Sequence, residues 1–269
     1  MMEYLQQIKL WNGNAPFAEA DDNAKKEGFK PANGDGIRRL TDVIDPSITF
    51  YPASGRGPKP AVLVCPGGGY SILAWNHEGI DICSLLNLNG FSAFLLKYRC
   101  PGRRAAAHAD AARAMRLIRA NAEKFDILPD KVGIIGFSAG GHLSATLCAP
   151  ADPVPYPEQD AADELPYRPD FAALIYPAYL VNETTWELHS EFNVTENTPP
   201  TLLVQAENDM IPVENSLIWY RALKNAGVPA EMHLYDTGGH GYGLLRTGNA
   251  ISCWGELAGK WFRRQADLP

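Results

Sequence analysis

Cysteine is scarce in this chain, positive charge is in deficit, and no long apolar run occurs; each shortage removes a class of function. Five cysteines are present, an odd number, which speaks against a disulfide-stapled scaffold. Cys65 falls in a strand-like run and Cys83 and Cys148 in helical stretches, the placement of buried reduced thiols, so a cytoplasmic home is expected. The opening Met1-Met2-Glu3-Tyr4 lacks the basic n-region and apolar h-region of a secretory leader, although a periplasmic or secreted form whose leader has been removed reads the same way. Lys and Arg number 24 against 31 Asp and Glu, for a formal net charge of −7. Tracking phosphates needs a basic face, so nucleic acid and anionic membrane surfaces are excluded as partners. No stretch approaches the ~20 apolar residues of a membrane helix. None of the six histidines is spaced from a Cys or another His as metal ligands are, so neither a metal nor another cofactor is expected.

What is present is ample material for one core. A chain of 269 residues with 46% hydrophobic content suits a single large α/β domain. Strand-like runs near 47–52, 61–65, 91–97, 132–136, 172–176, 201–206 and 230–235 alternate with helical stretches at 78–89, 104–124, 140–148, 213–226 and 250–264. That alternation predicts a mostly parallel sheet covered by helices on both faces. In the second helix Ala107, Ala111, Ala114 and Ile118 share a face, while Arg113, Arg116 and Arg119 fall mostly off it and read as a solvated surface. The polar residues 1–45 read as an irregular lead-in, and 46–269 as the domain.

The most informative stretch is Gly136-Phe137-Ser138-Ala139-Gly140, directly after the apolar run Val132-Gly133-Ile134-Ile135. A G-x-S-x-G turn between a buried strand and a helix is a nucleophile elbow: small residues two before and two after the serine let the turn close and lift the hydroxyl clear of the sheet. A serine hydroxyl is a poor nucleophile until a base takes its proton, so a His and an acid must follow. The strand-like Thr201-Leu202-Leu203-Val204-Gln205-Ala206 ends in Glu207-Asn208-Asp209, and Ala230-Glu231-Met232-His233-Leu234-Tyr235 leads into Gly238-Gly239-His240-Gly241. Both candidates lie just past a strand's C-terminal end, where ligands collect in open parallel sheets. The expected catalytic set is Ser138, Asp209 and His240, with Glu207 the rival acid and Asp236 a turn residue. His142 is expected to pack or bond locally. A third element, Pro66-Gly67-Gly68-Gly69-Tyr70, follows the strand Ala61-Val62-Leu63-Val64-Cys65. Charge that develops on a carbonyl oxygen needs backbone donors at close range, so the oxyanion hole is assigned to the N–H groups of Gly68 or Gly69 together with Ala139.

Taken with Trp75-Asn76-His77-Glu78-Gly79, Leu96-Lys97-Tyr98-Arg99-Cys100-Pro101 and Pro212-Val213-Glu214-Asn215-Ser216, these motifs resemble the bacterial acetyl xylan esterase-like α/β-hydrolases over roughly residues 45–265. That group is similar to the bifunctional acetyl/feruloyl carbohydrate esterases and, more distantly, to the hormone-sensitive-lipase and dienelactone-hydrolase groups. The resemblance implies an α/β-hydrolase fold, with Ser138 as nucleophile, Asp209 as acid and His240 as base. Asn208 and Met210 depart from the family pattern, which has a second acid and a proline at these places.

Two long linkers, 149–169 and 178–200, are expected to build the substrate pocket. Neither is long enough for a full helical lid, which favours a short acyl group, acetyl first. Tyr70, Trp75 and Trp186 are the candidate substrate contacts, and Glu78 and Arg99 are candidates for orienting the oxyanion loop as a pair. The expected partner is a small-molecule or oligosaccharide ester. Other readings stay open: a general short-chain carboxylesterase or feruloyl esterase, a peptidase or lactonase, and a catalytically vestigial carbohydrate-binding protein.

Overall fold

The computed structural model describes residues 5–13, 15–20, 22, 25–153 and 156–269. The leader reading of residues 1–4 and two residues of the proline-rich run, 154 and 155, lie outside them. In chain order the elements are β1 (Gln7–Lys9), β2 (Gly28–Phe29), β3 (Arg39–Thr41), β4 (Ser47–Tyr51), β5 (Lys59–Cys65), β6 (Leu73–Ala74), α1 (Asp81–Leu88), β7 (Ser92–Lys97), α2 (Arg104–Ala120) and α3 (Ala122–Phe125). They continue with β8 (Ile127–Phe137), α4 (Ala139–Cys148), β9 (Ala172–Ile175), β10 (Val181–Asn182), β11 (Glu187–Leu188), β12 (Thr201–Ala206), α5 (Glu214–Asn225), β13 (Ala230–Tyr235) and α6 (Trp254–Gln265). A single π turn, Asn76–Ile80, leads into α1.

Eight strands form one sheet in the order β1-β4-β7-β5-β8-β9-β12-β13. β1 and β4 run antiparallel at one edge, and every pairing from β7 through β13 is parallel. Parallel strands need covered crossovers, so both faces are buried and the strands read as near-continuous apolar runs. The strand period of two splits them between faces: Ala61, Leu63 and Cys65 of β5 join the core under α2, α4 and α5, while Val62 and Val64 join the core under α1 and α6. Among the described residues no helix is long and apolar enough to cross a membrane.

Two expectations meet a different structure. Residues before 46 do not hang free: β1 pairs with β4, Leu10 and Trp11 are buried, and the Trp11 indole N–H donates to Asp110 at 2.8 Å. β2 and β3 form a second, three-stranded sheet with β6, the strand that follows the glycine loop. The arginine face of α2 is not solvated. Arg113 is 1% exposed and Arg119 8% exposed, Arg113 pairing with Asp160 and Asp163 and Arg119 with Asp170. Segment 149–169 folds back across α2 and delivers Asp160 and Asp163, with Asp170 just beyond its end, so the carboxylates lie 47 to 51 residues downstream, a distance that helical periodicity does not see.

Candidate active site

Ser138 stands between β8 and α4 with φ 52° and ψ −117°, a left-handed backbone that a non-glycine residue adopts only where its surroundings impose it. The surroundings are explicit. Ser138 N–H donates to Ile175 O, and its carbonyl accepts from His142 N–H and Ala178 N–H. Gly136 and Gly140 permit this crossing: a Cβ on the first would lie 2.1 Å from the Gly140 carbonyl oxygen, and one on the second 2.1 Å from that of Cys65.

His240 reaches across from the loop after β13. Its Nε2 is 2.8 Å from Ser138 Oγ and its Nδ1 2.9 Å from Asp209 Oδ2. A carboxylate only accepts, so Nδ1 carries the proton and Nε2 offers its lone pair to the serine hydroxyl. The Asp209 side chain is fully buried and its other oxygen accepts from Ile211 N–H at 2.8 Å, which fixes the carboxylate's orientation. Glu207 is exposed and reaches neither ring nitrogen of His240, while Asn208 between the two acids accepts from both Gly238 and Gly239 N–H at 2.9 and 2.8 Å. Asn208 thereby pins the loop that carries the histidine, a role its departure from the family pattern did not disclose.

The glycine loop lies against the elbow. Among the described residues no partner takes the N–H of Gly68 or Gly69, and Ala139 is the first residue of α4, where an N–H has no intrahelical acceptor. Gly67 N–H is already spent: it donates to Glu78 Oε2 at 2.7 Å. Glu78 therefore does hold this loop, but not with Arg99, whose guanidinium is committed to Asp110 at 2.7 Å. Burial pushes the Glu78 carboxyl above the ordinary carboxylate range, with neighbouring His77, the Tyr176 hydroxyl and Gly67 N–H pulling the other way. On the loop's far side Tyr70 O–H donates to His142 Nδ1 at 2.7 Å, and His142 Nε2 is 3.1 Å from Glu191.

A cavity of about 400 Å³ opens over Ser138 and His240, lined among others by Ile37, Arg39, Gly68, Gly69, Ile72 and Tyr179. None of the three expected aromatic contacts lines it. Tyr70 is buried with its hydroxyl engaged by His142, Trp75 packs between the two cores, and Trp186 is 43% exposed in the turn between β10 and β11. The aromatic at the cavity is Tyr179, which sits under the Arg104 guanidinium at 4.6 Å; its position four residues past the end of β9 is the signal that could have found it. Among the described residues no three His, Cys, Asp or Glu side chains gather as metal ligands would.

The BD-FAE family profile matches residues 49–153. An acetylxylan esterase of Xylanibacter ruminicola is 33% identical over 222 residues, covering 73% of this chain and 43% of that protein. An endo-1,4-beta-xylanase B of Butyrivibrio fibrisolvens is 32% identical over 221 residues, covering 73% of this chain and 34% of that protein. The chain thus spans less than half the length of these two curated relatives. Among solved structures, an acetyl ester-xyloside bifunctional hydrolase from Caldicellulosiruptor lactoaceticus superposes with a TM-score of 0.80 at 32% identity, covering 98% of this chain and 97% of that one.

Proposed function

The chain belongs to the acetyl xylan esterase-like α/β-hydrolases, and from that premise we propose that it is a serine esterase that removes short acyl groups, acetyl first, from xylan-derived or other acetylated saccharides. The observation that carries this reading is the unbroken line Asp209–His240–Ser138 at 2.9 and 2.8 Å, opening into a cavity floored by glycine N–H groups.

In the proposed chemistry His240 Nε2 accepts the Ser138 proton as Oγ attacks the ester carbonyl, and Asp209 stabilises the imidazolium that forms. The N–H groups of Ala139 and of Gly68 or Gly69 hold the developing oxyanion in a site where water competes poorly. His240 then protonates the departing sugar hydroxyl, and a water deprotonated by the same nitrogen releases the carboxylic acid from the acyl-enzyme. A cavity of about 400 Å³ suits an acetyl group better than a long acyl chain.

Paired hydrolysis of acetylated xylo-oligosaccharide and of p-nitrophenyl esters of rising acyl length tests the reading, with Ser138→Ala as control. Acetyl turnover that falls steeply by butyryl and drops about a million-fold in kcat in the variant is the expected result. A flat or long-chain preference moves the assignment to a general carboxylesterase, and residual activity above a few per cent in Ser138→Ala removes the serine mechanism.

A further inference from the structure

Glu78 is 3% exposed and its carboxylate faces two loops at once. Oε2 accepts from Gly67 N–H at 2.7 Å, at the start of the glycine loop. Oε1 accepts the Tyr176 hydroxyl at 2.9 Å, and the Tyr176 oxygen in turn accepts from Gly243 N–H at 3.0 Å, in the loop that carries His240. The Tyr176 ring stands edge-on to the His240 imidazole at a centroid distance of 5.0 Å, on a residue held at φ 38°. Next to Glu78, His77 Nε2 donates to Gly241 O at 3.1 Å, so the same turn grips the histidine loop a second time. The approach is close enough that a Cβ on Gly243 would lie 2.6 Å from the His77 carbonyl oxygen.

We propose that Glu78 is a positioning residue for ester cleavage: through Gly67 on one side and Tyr176–Gly243 on the other it couples the oxyanion loop to the histidine loop, so that the donors and the base keep one spacing. The inference rests on the esterase reading above. A carboxylate is the side chain suited to the place, because both neighbours, an N–H and an O–H, donate toward it. An amide at the same position still accepts from Gly67 N–H. Its NH2 then meets the Tyr176 oxygen, which already accepts from Gly243, and the tyrosine proton loses its acceptor.

Kinetics of Glu78→Gln, Tyr176→Phe and the double variant on an acetyl ester test it, together with the rate of fluorophosphonate labelling and the thermal midpoint of each. Glu78→Gln is expected to lower kcat by about 10²-fold, as a displacement on the order of 1 Å does, with KM within about twofold. Labelling should slow in parallel, and the double variant should fall little below the worse single, since the two residues act as one connection. An active parent protein whose variants lose thermal stability but keep kcat and labelling rate overturns the coupling and leaves the esterase reading standing. A parent protein that neither hydrolyses any ester nor labels overturns both. Tyr176→Phe carries the test should Glu78→Gln not fold.

Discussion

The two long linkers are of similar length, and they do opposite things. Segment 149–169 leaves the C-terminal end of α4 and enters β9 at its start, so it runs at the end of the sheet away from the strand C-termini. It packs on α2 through Asp160 and Asp163 against Arg113, and none of its described residues lines the cavity over Ser138. Segment 178–200 follows the C-terminal end of β9, the end where Ser138, Asp209 and His240 also emerge. It supplies Tyr179 to the cavity and Glu191 to His142. Which strand end a loop leaves, not how long or how polar it is, decides whether it serves the site or the scaffold.

The largest effect that would break this contrast is on stability. Arg113→Ala should cost about 3 kcal/mol, because it leaves the buried Asp163 carboxylate with only Arg116, 3.6 Å away, as a cation, yet kcat/KM measured well below the unfolding midpoint should stay unchanged; urea titration alongside kinetics checks both halves. Acid acts on the surroundings of the two segments in different pH windows. Burial pushes His108 of α2, whose ring is tilted against that of His142 at 5.6 Å and which faces Glu191 of the later segment and Arg104, from 6.5 down to about 4. The unfolded chain binds that proton below 6.5 and the folded one refuses it until about 4, so this stability is complete above 6.5 and lost as pH falls to 4. The loss is on the order of 2–3 kcal/mol, read by thermal unfolding across that range, with His108→Gln flattening it. Asp160 on segment 149–169 is held below its ordinary 3.8 by the Arg113 hydrogen bond, so its contribution persists above 3.8 and fades only as pH falls through its lower folded value. Tyr179→Ala should lower kcat/KM on acetylated saccharide by about fivefold to tenfold with little change in stability, as loss of one aromatic contact does. Trp186→Ala, at an exposed turn, should change neither quantity by more than about twofold.

Local signals made the strands, the helices and the order Ser138, Asp209, His240 readable, since each rests on a run of apolar residues followed at once by a polar or glycine-rich turn. The structure brings those three side chains into hydrogen-bond range, and their catalytic part remains the proposal above. What sequence did not disclose depends on residues far apart in the chain. Arg113 of α2 met its carboxylates only through the return of 149–169, and Arg99 met Asp110 instead of Glu78. Tyr70 and Trp75 follow the glycine loop but turn into the core, and β1 is only three residues long, too short for alternation to register. Glu78 stood in a recognisable motif, yet its two partners lie 11 residues before it and 98 after it.

The small sheet formed by β2, β3 and β6 has a consequence for where this unit can be cut. Ile37 and Arg39 come from the stretch before residue 46, while Ile72 and Ala74 come from beside the glycine loop, and together they wall the same cavity. A boundary drawn at residue 46 would separate one wall of the pocket from its floor. Fusion or recombination that preserves this cavity therefore has to carry the leading segment along, and a module lacking it would keep Ser138 while exchanging a shaped cleft for an open shelf.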